Sequence, residues 1–114
     1  MRDFIKQMFM RDTEKIENPI DDEKAVRKFI NVDGRVQGVG FRYFVQMTAR
    51  EIGITGWVKN NTDGSVSMEI QGTTEMLDKL TEKIKRGNGV SRVEHMNIED
   101  REIEKGANKF VITY

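Results

Sequence analysis

An α+β fold is what this sequence predicts, and three observations predict it. Apolar residues alternate with polar ones in four or five short runs, the mark of half-buried strands. Two longer runs repeat apolar residues at helical spacing. These elements interleave as strand, helix, strand, strand, helix, strand, with a short last strand. That order is the split βαβ, or ferredoxin-like, arrangement: an antiparallel sheet of four to five strands with both helices on one face.

Two regions divide the chain. Residues 1–24 read as an N-terminal extension and 25–114 as the domain. In the extension, Phe4, Ile5, Met8 and Phe9 share one helical stripe, and "ENPIDDEK" then breaks the pattern with the sole proline, Pro19. Two readings compete: a frayed tail, or a short helix that docks on a sheet edge or a partner.

From Ala25 the signals sharpen. Val26, Ile30, Val32 and Val36 mark the first strand, with Lys28 interrupting its apolar face. After "VQGVG", Phe41, Phe44, Val45, Thr48, Ala49 and Ile52 recur at helical spacing up to Gly53. "ITGWVKN" is the second strand, placed beside the first. Asp63-Gly64 signals a hairpin. Val66, Met68 and Ile70 alternate with Ser67, Glu69 and Gln71, which predicts a third strand buried on one side only. Thr73 or Thr74 caps a second helix, which carries Met76, Leu77, Leu80 and Ile84 and stops at Gly87 or Gly89. "SRVEHMNIE" is a weakly alternating fourth strand. Phe110, Ile112 and Tyr114 share a face of the last.

A chain of 114 residues suits one domain with its own core. It has no Cys, so disulfides, thiolate metal sites and thiol nucleophiles are excluded. "MRDFIKQMFM" has no uninterrupted apolar run, so no signal peptide is read, and no stretch is long enough for a membrane span. The expectation is a cytoplasmic protein. Lys and Arg total 19, as do Asp and Glu, but residues 1–23 hold four basic and seven acidic residues. The remainder is mildly positive. That suits a small anion and falls short of the concentrated basic face of a nucleic-acid binder.

"VQGVGFR", residues 36–42, is the first stretch with chemistry in it. Gly38 and Gly40 lead into a helix N-terminus, where unpaired N–H groups gather and the dipole favours an anion. Arg42 is misplaced there unless an anion lies between it and the amides. The N–H groups around Gly38 to Arg42 can converge on one oxyanion as a phosphate nest, and Arg42 adds a planar donor matched to phosphate. The competing reading is a tight strand-to-helix turn with a surface arginine. It is not a Walker loop, whose spacing and lysine are missing. Asn60, in "GWVKNNTDG", is either a turn residue or a carboxamide able to hold a water against a bound phosphorus.

Together, "VDGRVQGVGFR" and "GWVKNNTDGSVSMEIQG" resemble the two signature segments of the acylphosphatases, small hydrolases of the carboxyl–phosphate bond. The resemblance covers about Val26 to Tyr114, including "FVITY", with no departure inside either motif. It implies that Arg42 binds phosphate together with the loop amides of Gln37, Gly38, Val39, Gly40, Phe41 and Arg42. It implies that Asn60 positions the attacking water. The expected partners are a small acyl phosphate and inorganic phosphate, the latter as product and inhibitor. No cofactor or metal is expected, and neither nucleic acid nor membrane is. The length of the extension departs from the family's compact form; a monomer is still expected.

Other candidates weigh less. His95, the sole histidine, reads as a surface strand residue. Asp63 reads as a turn former. Asp33 would repel phosphate if it sat beside the loop. Metal-ligand spacing is absent. Two alternatives remain. A catalytically silent phosphate- or carbamoyl-phosphate-binding module is disfavoured, since such domains belong to larger carbamoyl-transfer proteins and this chain ends at Tyr114. An RNA-binding module on this sheet needs exposed aromatics, and Phe29 alone is no platform.

Overall fold

The computed structural model describes residues 15–16 and 20–114. A short 3-10 turn, Asp22–Lys24, leads into β1 (Val26–Arg35). There follow α1 (Phe41–Ile52), β2 (Thr55–Asn60), β3 (Val66–Gly72), α2 (Thr74–Arg86), β4 (Arg92–Arg101) and β5 (Phe110–Thr113). The expected α+β order is therefore found. The helical stripe at Phe4 to Phe9, and Pro19, lie outside the described residues.

One sheet has the order β4-β1-β3-β2-β5. Two expectations change here. β2 does not neighbour β1; β3 lies between them, antiparallel to both. β1 and β2 thus run in the same direction, and their C-terminal ends emerge at the same end of the sheet. That is where the glycine loop and Asn60 sit. The sheet is also mixed, because β5 pairs with β2 in parallel, Gly56 opposite Phe110 and Lys59 opposite Thr113.

The core lies between the sheet and the helices. Ile30 and Val32 of β1, Val58 of β2, and Val66, Met68 and Ile70 of β3 point into it. Phe41, Val45 and Ala49 of α1 and Leu77, Leu80 and Ile84 of α2 meet them there. Each of these side chains larger than alanine contributes roughly 1.5–3 kcal/mol through its removal from water. Thr73 caps α2, its side chain accepting from the Met76 N–H at 3.2 Å, and Gly87 ends the helix. α1 also binds β5 by polar contacts, Gln46 Nε2 and an Arg50 guanidinium N–H both donating to the Phe110 carbonyl. Lys28, which broke the apolar face of β1, escapes by pairing with Asp100 at 2.6 Å.

β3 was expected to bury one side; it buries both. Ser67 and Gln71 are 7% and 2% exposed. Gln71 is covered by the loop before β5, exchanging bonds with the backbone of Glu104 in both directions. The amides of Asn31 and Asn61 both donate to Ser67 Oγ. Arg27 is also buried on this side, donating to Glu69 Oε1 at 2.7 Å and to Gln71 Oε1. Phe29 does face this way, and Trp57 joins it, with ring centroids 6.4 Å apart and planes tilted by 59°. The Arg101 guanidinium lies over Phe29.

Described residues of the N-terminal segment join the domain, Lys15, Ile16 and Asp22 among them. Ile16 is buried in the core cluster, and its N–H donates to the Asn108 carbonyl at 2.5 Å. Lys15 forms an antiparallel bridge with Lys109. Among the described residues, no helix is long and apolar enough to cross a membrane.

Candidate active site

The loop between β1 and α1 is built on two left-handed residues. Gly38 has φ 72° and Gly40 φ 73°. A Cβ at Gly38 would meet nothing within 4 Å, so glycine is needed there for its backbone angle and not for space. Gly40 is the N-cap residue of α1, and its carbonyl accepts from the Phe44 N–H at 3.1 Å. Among the described residues no side chain caps this helix, and its first turn holds no acidic residue. The positive end of the dipole is therefore left to an external anion.

The loop is fastened on two sides. Gln37 Nε2 donates to the carbonyls of Asn61 and Ser65, at 2.8 and 2.9 Å, tying the loop to the β2–β3 turn. Asn88 Nδ2 donates to the Val39 carbonyl at 2.8 Å, tying it to the α2–β4 turn. The β2–β3 turn is itself firm. Asp63 Oδ1 accepts from the backbone N–H and the hydroxyl of Ser65, at 3.0 and 2.6 Å. These two bonds, the hydroxyl one first, hold the Asp63 carboxyl below the usual aspartate range.

A pocket of about 200 Å³ opens over this loop. Gly38, Gly40 and Arg42 line one side and Asn60 another. Tyr43, Ile112 and Tyr114 form its apolar wall. Among the described residues, no carboxylate pairs with Arg42; its guanidinium carbon lies 5.1 Å from the Tyr114 ring centroid. Asn60 Oδ1 is buried and has no hydrogen-bond partner among the described residues. A buried acceptor left in that condition costs roughly 1–3 kcal/mol, and at the wall of a pocket it is free to accept from a water or a bound molecule there.

Of the sequence-predicted residues, Gly38, Gly40, Phe41, Arg42 and Asn60 thus line one pocket, from the β1–α1 loop, the first turn of α1 and the end of β2, while Gln37 and Val39 belong to the same loop without lining the pocket. His95 is not among them. It lies exposed on β4, its Nδ1 2.7 Å from Asp33 Oδ1, and Asp33 is turned to it across the sheet surface. Asn88 and Tyr114 were missed as parts of the site. No local signal marks them, because each reaches the loop from a distant element.

Comparison with known proteins bears on the family and the fold. The family model described as Acylphosphatase matches residues 28–112. An acylphosphatase of Geobacillus kaustophilus is 47% identical over 88 residues, covering 77% of this chain and 94% of its own. The crystal structure of acylphosphatase from Bacillus subtilis superposes with a TM-score of 0.74 at 42% identity, covering 78% of this chain and 99% of that one. Full-length HypF, in a phosphate- and nucleotide-bound form, is 29% identical with a TM-score of 0.71, and the match covers 79% of this chain but 12% of that one. With the paired motifs, the sheet order and near-full-length relatives all in agreement, this chain belongs to the acylphosphatase family.

Proposed function

We propose that Arg42 and the N–H groups of Gln37, Gly38, Val39, Gly40, Phe41 and Arg42 hold the phosphoryl group of an acyl phosphate, and that Asn60 orients the water that attacks it. The reaction is the family's own: hydrolysis of the carboxyl–phosphate bond to a carboxylate and inorganic phosphate. A carboxylate is a good leaving group, so catalysis needs position and charge stabilisation more than a covalent intermediate. The donors face the nonbridging oxygens, where negative charge must be stabilised in the transition state. Asn60 Oδ1 accepts a hydrogen bond from the water and aims its lone pair at phosphorus. The water's proton passes to a phosphate oxygen of the substrate.

The observation that carries this reading is Asn60 Oδ1, a buried acceptor without a partner in the pocket that Arg42 lines. The same reading treats 25–114 as the hydrolase domain, acting in the cytoplasm as a monomer, without metal, with inorganic phosphate as a competitive inhibitor.

The test is to measure kcat and the phosphate inhibition constant for Arg42→Ala and Asn60→Ala, each shown folded by circular dichroism. Arg42→Ala is expected to lose both, by about two to four orders of magnitude, the effect of removing a charged hydrogen-bonding contact from a partly dry site. Asn60→Ala is expected to lose kcat by a similar factor while phosphate still inhibits, since that contact is made mainly in the transition state. A near-normal kcat in Asn60→Ala would reduce Asn60 to a turn residue.

A further inference from the structure

Asn88 makes hydrogen bonds in two directions. Its Oδ1 accepts from the N–H groups of Val90 and Ser91, at 3.0 and 2.8 Å, which closes the turn after α2. Its backbone N–H donates to Ser91 Oγ at 3.1 Å. The turn needs the carbonyl end of this side chain and nothing more. The amide end crosses instead to a segment 49 residues away and donates to the Val39 carbonyl at 2.8 Å.

Val39 lies between the two left-handed glycines. Its carbonyl and the N–H of Gly40 belong to one planar trans peptide, so they point in opposite directions. A carbonyl held outward on Asn88 therefore presents the Gly40 N–H to the opposite side, and Gly40 lines the pocket. This peptide turns about ψ of Val39 and φ of Gly40, and glycine on its C-terminal side tolerates either sign of φ. Rotated the other way, it would aim a carbonyl oxygen at a bound oxyanion and repel it. The Asn88 bond also polarises the peptide, which strengthens its N–H as a donor.

We propose that Asn88 is a positioning residue of the hydrolytic site: by holding the Val39 carbonyl it aims the Gly40 N–H at the phosphate. This rests on the reading of the loop as the phosphate cradle. Asn88 touches no reacting atom and acts through the loop alone.

Two variants separate this role from that of the turn. Asn88→Asp keeps the oxygen that closes the turn and loses the donor to Val39. Asn88→Ser is uncharged, keeps a short acceptor for the turn, and cannot reach Val39. Both should raise the phosphate inhibition constant and lower kcat on benzoyl phosphate by about three- to tenfold, the worth of one neutral hydrogen bond. A purely structural role would lower the melting temperature and leave both constants of the folded protein unchanged. Constants for Asn88→Ser within about 1.5-fold of wild type would overturn the proposal. So would an effect confined to Asn88→Asp, which is charge repulsion. Should Asn88→Ser fail to fold, the wild-type protein decides. Its Gly40 amide proton should move downfield as inorganic phosphate is added, and a stationary Gly40 resonance under inhibiting phosphate would refute the alignment. Wild-type protein that phosphate does not inhibit would overturn the cradle itself, and this proposal with it.

Discussion

The guanidinium carbon of Arg42 lies 5.1 Å from the centroid of the Tyr114 ring, so the last residue of the chain steadies the cation at the first turn of α1. The relationship explains how a positive side chain stays at the positive end of a helix dipole. The ring face attracts it, and among the described residues no carboxylate competes with an incoming phosphate for its donors. A carboxylate partner would have neutralised Arg42; an aromatic partner orders it and leaves its N–H groups available.

Tyr114 should therefore matter through its ring and not its hydroxyl. An exposed cation–π contact contributes roughly 0.5–1 kcal/mol, which is about a two- to fivefold change in rate. Tyr114→Phe should match wild type in kcat/KM. Tyr114→Ala should fall by about that factor, with phosphate inhibition weakened in parallel. Equal losses in both variants would shift the role to the hydroxyl.

Hydrolysis should survive chelation. Hard divalent cations take oxygen ligands and favour carboxylates, whereas this pocket is lined by two glycines, a guanidinium, a carboxamide and an apolar wall, with no carboxylate side chain among its described lining residues. Incubation with a chelator followed by assay on benzoyl phosphate should leave kcat within about twofold, a difference too small to remove a catalytic ion. Activity that vanishes and returns with an added divalent cation would contradict the mechanism.

Much of this was legible from local pattern, and the failures share a cause. The strands and helices follow from periodicities of 2 and 3.6, which are local properties. Arg42 was legible because a cation at a helix N-terminus conflicts with the dipole of that same helix. Asn60 needed the pairing of two motifs. The insertion of β3 between β1 and β2, and the parallel docking of β5, depend on which strands meet, which alternation does not encode. The burial of Ser67 and Gln71 depends on amides and a loop arriving from elsewhere, so their polar character misled the reading of that face. Asn88 looks like any turn asparagine until its amide is seen on the Val39 carbonyl.

Acid should act on the β2–β3 turn through Asp63. Its carboxyl is held below the usual aspartate range by the Ser65 hydroxyl and N–H, and Asp100 is lowered likewise by the hydrogen bond and charge of Lys28. The unfolded chain then binds protons at a higher pH than the folded one. These groups stabilise fully above the ordinary aspartate value, and the contribution disappears as pH falls through the lowered folded values. In carboxyl NMR titrations Asp63 should have its midpoint below that of an unperturbed aspartate, and Ser65→Ala should raise it. An unchanged midpoint in Ser65→Ala would show that the hydroxyl bond contributes nothing.

Stability and turnover should separate at the N-terminal segment. Ile16 is 6% exposed and belongs to the core cluster, its N–H bonded to the Asn108 carbonyl. Asp22 adds a bond, its Oδ2 accepting from the Gly106 N–H at 3.2 Å. Neither residue lines the pocket over the loop. Ile16→Ala in the full chain should cost roughly 2–4 kcal/mol, the range for truncating a buried isoleucine, read as a lower urea midpoint with an unchanged slope. Deleting residues 1–22 should cost at least as much, because the Ile16 N–H bond and the Asp22 carboxylate bond to the loop before β5 go with the Ile16 side chain. Under conditions where each variant is fully folded, kcat on benzoyl phosphate should stay within about twofold of wild type, since no group proposed to touch the substrate has been removed. A truncated protein that keeps its fold and loses turnover would place the N-terminal segment in the active site. One that keeps its full urea midpoint would mean that Ile16 contributes no net stability to the core.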